Sequence, residues 1–198
     1  MTKLRKITSL GPLAILVALG GCVSFGGAEP PPFLLSLSSD LQVDAGAVRA
    51  GPRAGALVVQ LPSTPQKLNN VRVPVQTGST GIAYLKEATW VDKPARLFQA
   101  LLAETIAAKN DRLVLTAVQA QGKAETYLSG QLVNFGLDGP SLTVIVTYDA
   151  VKVRQDQPVE KRRFEVRESV FAAEAGPVGE ALNKAANKVV LEVADWVG

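Results

Sequence analysis

Cys22 is the only cysteine of the 198-residue chain, and the chain has no histidine. These two facts narrow the chemistry that its side chains can do. Without histidine, the commonest general base and the commonest metal ligand are missing. One thiol cannot close a disulfide within the chain. Asp and Glu remain as potential catalysts, but no carboxylate pair stands out by its spacing, and no G-x-S-x-G serine motif occurs. The sequence therefore reads as non-enzymatic, with no cofactor and no metal site expected. The sulfur of Cys22 is left as the one reactive atom, and the residues before it decide its use.

Lys3, Arg5 and Lys6 open the chain, and the uncharged run ITSLGPLAILVALGG follows from Ile7 to Gly21. A basic start, a short apolar run and small residues form the layout of a secretory signal. The run is broken by Thr8, Ser9, Gly11 and Pro12, and a bilayer span takes about 20 apolar residues. Leu19-Gly20-Gly21-Cys22 resembles the lipobox of bacterial lipoproteins. The resemblance implies cleavage before Cys22, a diacylglyceryl thioether on its sulfur and an acyl chain on the new amine. Each buried methylene is worth about 0.8 kcal/mol and a single chain anchors only marginally, so three chains would hold the protein on a membrane. In such lipoproteins an Asp after the Cys retains the protein at the inner membrane. Val23 stands there, which implies the outer membrane, periplasmic face.

The expected organisation is a signal peptide at 1–21, a lipid anchor and tether at 22–32, and one domain at 33–198. Three of the 21 basic residues sit in the signal and none of the 18 acidic ones does, which leaves 18 against 18 in the mature chain. The formal charge of +3 therefore reports the signal, and nucleic acid is not an expected partner. The tether VSFGGAEPPP carries a glycine pair and three prolines; its ten residues reach at most about 30 Å in extended form. Without disulfides the domain must rest on its apolar core, which a hydrophobic content of 47% allows.

Those elements must position whatever surface does the work. Short apolar runs at 33–37 and 56–61 read as strands, with a loop over 39–54. VRVPVQ (71–76) alternates in period two, and IAYLK (82–86) returns after the turn TGSTG. Asp92 caps an expected helix whose stripe is Leu97, Phe98, Leu101, Leu102 and Ile106. RLVLTAVQ (112–119) reads as a strand. TYLSGQLVNFGL and SLTVIVTYDAVKV flank the turn DGPS (138–141), a hairpin signal, and EKRRFEVRESV (160–170) adds a third meander strand. After Gly176-Pro177 a last helix sets Leu182, Ala185, Ala186, Val189, Val193 and Trp196 on one side. The expectation is an α+β or α/β domain of about eight strands: a mixed, largely antiparallel sheet with two main helices packed on it.

The order of these pieces is similar to that of the ABC-type transport auxiliary lipoproteins, the group containing the PqiC-like components of MCE systems. The likeness covers nearly all of the mature chain. It lies in Cys22, FLLSL, then Tyr84, Trp90, Pro94, Leu97 and Leu101, then LSGQLVNF (128–135), LTVIVTYDAV (142–151), KRRFEV (161–166) and VADWV (193–197). Phe33 replaces the tyrosine of many members. The resemblance implies a non-enzymatic lipoprotein that partners a periplasmic MCE-domain subunit of an ABC transporter and helps complete a path for lipid. A homo-oligomer is compatible with that docking role. Two other readings remain: a self-sufficient periplasmic binder of a hydrophobic ligand such as lipid, with an apolar cavity, and an envelope assembly scaffold.

Four residues are candidate contacts with a partner or lipid. Tyr84 and Trp90 either face outward or pack against the first helix, and packing is the commoner fate of such aromatics. Arg162 and Arg163, in the Lys161–Arg163 run, could meet lipid phosphate or an acidic partner; a solvated strand face paired with Glu160, Glu165 and Glu168 is the plainer reading.

Overall fold

The computed structural model describes residues 32–198. The expected signal segment, Cys22 and all of the tether except Pro32 lie outside those residues. No helix among the described residues is long and apolar enough to cross a membrane.

The sheet has seven strands, in chain order β1 (Leu57–Val59), β2 (Arg72–Gln76), β3 (Ile82–Thr89), β4 (Val114–Leu115), β5 (Thr126–Asp138), β6 (Thr143–Arg154) and β7 (Glu160–Ser169). β5 is its spine. One edge of β5 pairs antiparallel with β6, and β6 with β7, which is the expected meander. The other edge is shared. β1 lies parallel to the start of β5, with Leu57 opposite Thr126, and β2 lies parallel to its end, with Val75 opposite Leu137. Ser63 bridges to Gln131 between them. β4 extends β1 in parallel, and β3 extends β2 antiparallel. The long pairings are antiparallel and the short ones parallel, so the sheet is mixed as expected.

Helices α1 (Pro94–Asn110) and α3 (Ala175–Val197) cover one face, and α2 (Ala117–Ala120) is a single turn. The alternation of β6 drives this layering. Val144, Val146, Tyr148 and Ala150 are buried toward the helices, while Ile145, Asp149 and Val151 take the opposite side. Phe98 of α1 meets Tyr148 at 5.1 Å between ring centres, and Trp196 of α3 meets Phe164 at 5.7 Å. On α3, Val189, Val190 and Val193 are fully buried beside Ala185, Ala186 and Ala194. Each such valine contributes about 1.5–3 kcal/mol, and the alanines let the helix approach the strands closely.

Four sequence expectations change. The strand over 33–37 shrinks to one bridge, Leu35 to Trp90. The strand over 112–119 stops at Leu115, because Thr116 and Gln119 form a reciprocal capping box that starts α2. Hence there are seven strands in place of eight, and a third, short helix. Asp92 stands one residue too early to cap α1: its Oδ1 accepts the Lys93 N–H at 2.6 Å, and Lys93 takes the cap position.

Candidate docking surface

Residues 35–43 form a strap that runs lengthwise along α3. Leu35 lies on Gly179, where a Cβ would stand 2.5 Å from Leu35 Cδ2. One turn later the Ser38 N–H donates to Asn183 Oδ1 at 2.9 Å. One turn further the Asp40 N–H donates to Asn187 Oδ1 at 2.9 Å, and Asn187 Nδ2 donates to the Ser38 carbonyl at 2.8 Å. Positions 179, 183 and 187 share one helix face. From the other side α1 holds the strap through Thr105, whose hydroxyl is 3.0 Å from that of Ser39, and Glu104, which accepts the Val43 N–H at 2.7 Å. The strap therefore fills the seam between α1 and α3. Sequence reasoning missed it. The available signal was two asparagines four residues apart on a helix with a long apolar stripe.

The four candidate contact residues are not gathered into one site. Trp90 is buried at 1% exposure; its ring centre lies 5.3 Å from that of Phe135, and its indole N–H has no partner among the described residues. Tyr84 is half-buried beneath the Arg72 guanidinium, 4.2 Å from its ring centre, and its hydroxyl accepts from Asn70 Nδ2 at 3.1 Å. Between the two, β3 bulges: Pro74 pairs with Tyr84 but Arg72 with Thr89, and Glu87 takes φ 55°. The extra residues break the strand alternation that would otherwise set positions 84 and 90 on one face.

Arg162 and Arg163 are neighbours on β7 and so point to opposite sides. Arg162 lies over the Phe164 ring at 4.8 Å, on the helix side. Arg163 reaches across the face opposite α1 and α3 and grips Asp149 with two hydrogen bonds, 2.6 and 2.8 Å. On that face Thr147 donates to Glu165 at 2.8 Å, and Arg167 donates to the same carboxylate at 2.9 Å. These donors hold both carboxyls below their ordinary range: Arg163's hydrogen bond is the main cause for Asp149, and Thr147's for Glu165. Glu168, bonded by Lys188 and Lys184 of α3, is held low in the same way. Burial drives the Tyr148 phenol far up. Over β6 and β7 the face opposite α1 and α3 thus carries two paired carboxylates, Asp149 with Arg163 and Glu165 with Arg167.

Among the described residues no three His, Cys, Asp or Glu side chains gather as a metal site would require. One hollow of about 430 Å³ is an open trough between strap and α1, lined by Leu37, Ser39, Gln42, Leu97, Leu101 and Glu104. This arrangement offers flat and grooved surfaces suited to another macromolecule.

The family model for an ABC-type transport auxiliary lipoprotein component matches residues 37–194. No curated protein matches the sequence. Two crystal structures share the fold. One, of an uncharacterized protein, superposes with a TM-score of 0.65 at 14% identity, covering 84% of this chain and 100% of that one. The other, a Xanthomonas campestris protein, gives 0.62 at 17% identity over 84% of this chain and 92% of that one. The PelC dodecamer from Paraburkholderia phytofirmans superposes at 0.41 with 11% identity, over 73% of this chain and 92% of that one, too loosely to bear on assembly.

Proposed function

The chain belongs to the ABC-type transport auxiliary lipoprotein family, and from that premise we propose that it is the outer-membrane-anchored, periplasmic subunit of an ABC/MCE-type system that moves lipid between membranes. It acts by docking and not by catalysis. Residues 1–21 are the signal, Cys22 carries the lipid, 22–32 tether it, and 33–198 form the docking domain. The partner is a periplasmic MCE-domain subunit.

The observation that carries this reading is the family match over 37–194 joined to the lipobox-like Leu19–Cys22. The surface agrees with it. Charges of the kind paired on the β6–β7 face opposite α1 and α3 select a partner more than they add affinity. The trough between strap and α1 is open and not an enclosed apolar cavity, which favours docking over self-sufficient binding of a hydrophobic ligand. Purification of native membrane complexes through a tag at Gly198 tests the proposal: an MCE-type subunit co-purifies. Its consistent absence, with the protein intact in the membrane, refutes the partnership. Cys22→Ser separately tests the anchor by moving the protein out of the outer-membrane fraction. Retention of that variant there refutes lipid anchoring.

A further inference from the structure

Among the described aromatic residues only Phe33 and Phe171 are exposed, at 47% and 85%. Both stand at the same end of the domain. The strap's register places the first: Leu35 lies on Gly179, Ser38 on Asn183 and Asp40 on Asn187. Run backward, that register brings Phe33 and Leu34 to the first turn of α3, which starts at Ala175. Leu34 is also exposed, at 52%. Phe171 lies two residues past the end of β7 and four before α3. The Val170 N–H donates to the Leu142 carbonyl at 2.8 Å, which pins this loop to the tip of the β5–β6 hairpin. Phe171 shares a hollow with Pro177, Glu180 and Ala181 of the first turns of α3.

Exposed phenylalanines are costly on a surface that meets only water, and their convergence on one end asks for an apolar cover. The same end is where the chain arrives from Cys22, eleven residues upstream of Phe33. We propose that this α3 N-terminal end is the membrane-contacting end of the domain, with Phe33, Leu34 and Phe171 seated in the lipid interface beside the anchor. The inference rests on the lipid-anchor reading of Cys22 and adds an orientation to it. Glu174 and Glu180, both exposed, stand at this end, so attraction to anionic headgroups does not drive the contact; apolar insertion into a zwitterionic surface does. The domain then stands on the bilayer with α2 and the β6–β7 turn pointing away. Those regions carry Val118 and Val159, exposed apolar residues of the opposite end.

The test uses the mature lipidated chain, in which acylation caps the Cys22 sulfur. Phe171→Cys and Phe33→Cys are each labelled with a small polarity-sensitive dye, and Val118→Cys, at an equally exposed residue of the far end, is the reference. The proteins are reconstituted into vesicles of phosphatidylethanolamine and phosphatidylcholine that contain brominated acyl chains. Dyes at 171 and 33 shift to the blue and are quenched, while the dye at 118 does neither. A chain that sediments with vesicles while its 171 dye matches the 118 dye overturns the orientation and leaves the anchor standing. A lipidated chain that fails to sediment at all overturns both. If the 171 dye shifts only when a partner protein is added, that end is a protein contact and the inference is wrong. Circular dichroism matching the parent shows that each variant is folded.

Discussion

The side-chain amide of Asn187 binds the backbone on both sides of Ser39 as a neighbouring strand would: its oxygen accepts the Asp40 N–H at 2.9 Å while its nitrogen donates to the Ser38 carbonyl at 2.8 Å. Asn187 is 6% exposed, whereas Ser38 and Asp40, which it grips, lie toward solvent. Its amide nitrogen also donates to the Asn183 carbonyl one turn back at 3.0 Å, which fixes its orientation. The strap is thereby joined to α3 by a side chain that imitates a β-ladder.

Asn187→Ala removes both bonds and leaves the Asp40 N–H and the Ser38 carbonyl without that partner. The expected loss is about 1–3 kcal/mol, the usual cost of such unmade bonds. Hydrogen exchange localises it: the amides of Ser38 and Asp40 exchange faster while those of β5 and β6 hold. Uniform acceleration throughout the domain contradicts a local clasp.

Trp90 supplies volume without a hydrogen bond, since its indole N–H is buried and has no partner among the described residues. Trp90→Phe is therefore mild, within about 1.5 kcal/mol, because it removes an unsatisfied donor along with some packing. Trp90→Ala opens a hole against Phe135 and costs about 3–5 kcal/mol. Denaturant titration of both variants checks the pair. Equal losses would mean that the N–H, and not the ring, is what the site needs.

Gly130 sits in β5 at φ 156°, with a Cβ position that collides with the Asp149 carbonyl oxygen and lies 2.9 Å from the Tyr148 ring. That ring covers the glycine, and its hydroxyl donates to the Ser129 carbonyl at 2.9 Å. An added methyl cannot be absorbed without parting β5 from β6. Gly130→Ala is expected to cost about 3 kcal/mol or more, strain and overpacking together. A midpoint shift worth under about 1 kcal/mol in denaturant refutes the close approach.

The pH profile follows from the carboxylates. Asp149, Glu165 and Glu168 are held low in the folded state, so the folded chain binds fewer protons than the unfolded one as these groups titrate. Their contribution is full above the ordinary carboxylate range near pH 4 and is lost as pH falls below it. With no histidine in the chain, stability stays level between about pH 5 and 8. Thermal melts across pH 2–8 check both limbs, and Asp149→Asn flattens part of the acid limb. A sharp transition near pH 6.5 contradicts the assignment.

The local parts of this fold were legible. Asp-Gly between two long alternating runs announced the β5–β6 hairpin, and the 3.6-residue stripe from Leu182 to Trp196 announced α3. What escaped was non-local. Leu57–Val59 is an apolar run that fits any strand edge, and nothing in its own residues says that it shares one side of β5 with Arg72–Gln76 in parallel. The strand reading of 112–119 ran past the capping box Thr116-x-x-Gln119, which ends β4 at Leu115. At the surface, Arg162 and Arg163 read as one basic run in the sequence, and strand alternation on β7 parts them. The separation of Tyr84 from Trp90 needed the bulge at Glu87, a left-handed residue that no side-chain pattern marks. The strap escaped because extended backbone held by asparagines has no periodicity to read.

The direction of the strap has a mechanical consequence. It runs from the first turn of α3 toward its middle, so a tug on the polypeptide at Phe33 pulls along the helix axis. The clasps at Asn183, Asn187, Thr105 and Glu104 lie across that line and share the load in shear, where a strap running the other way would unzip one bond at a time. A domain pulled through the residues that precede Phe33 keeps its fold under tension for that reason.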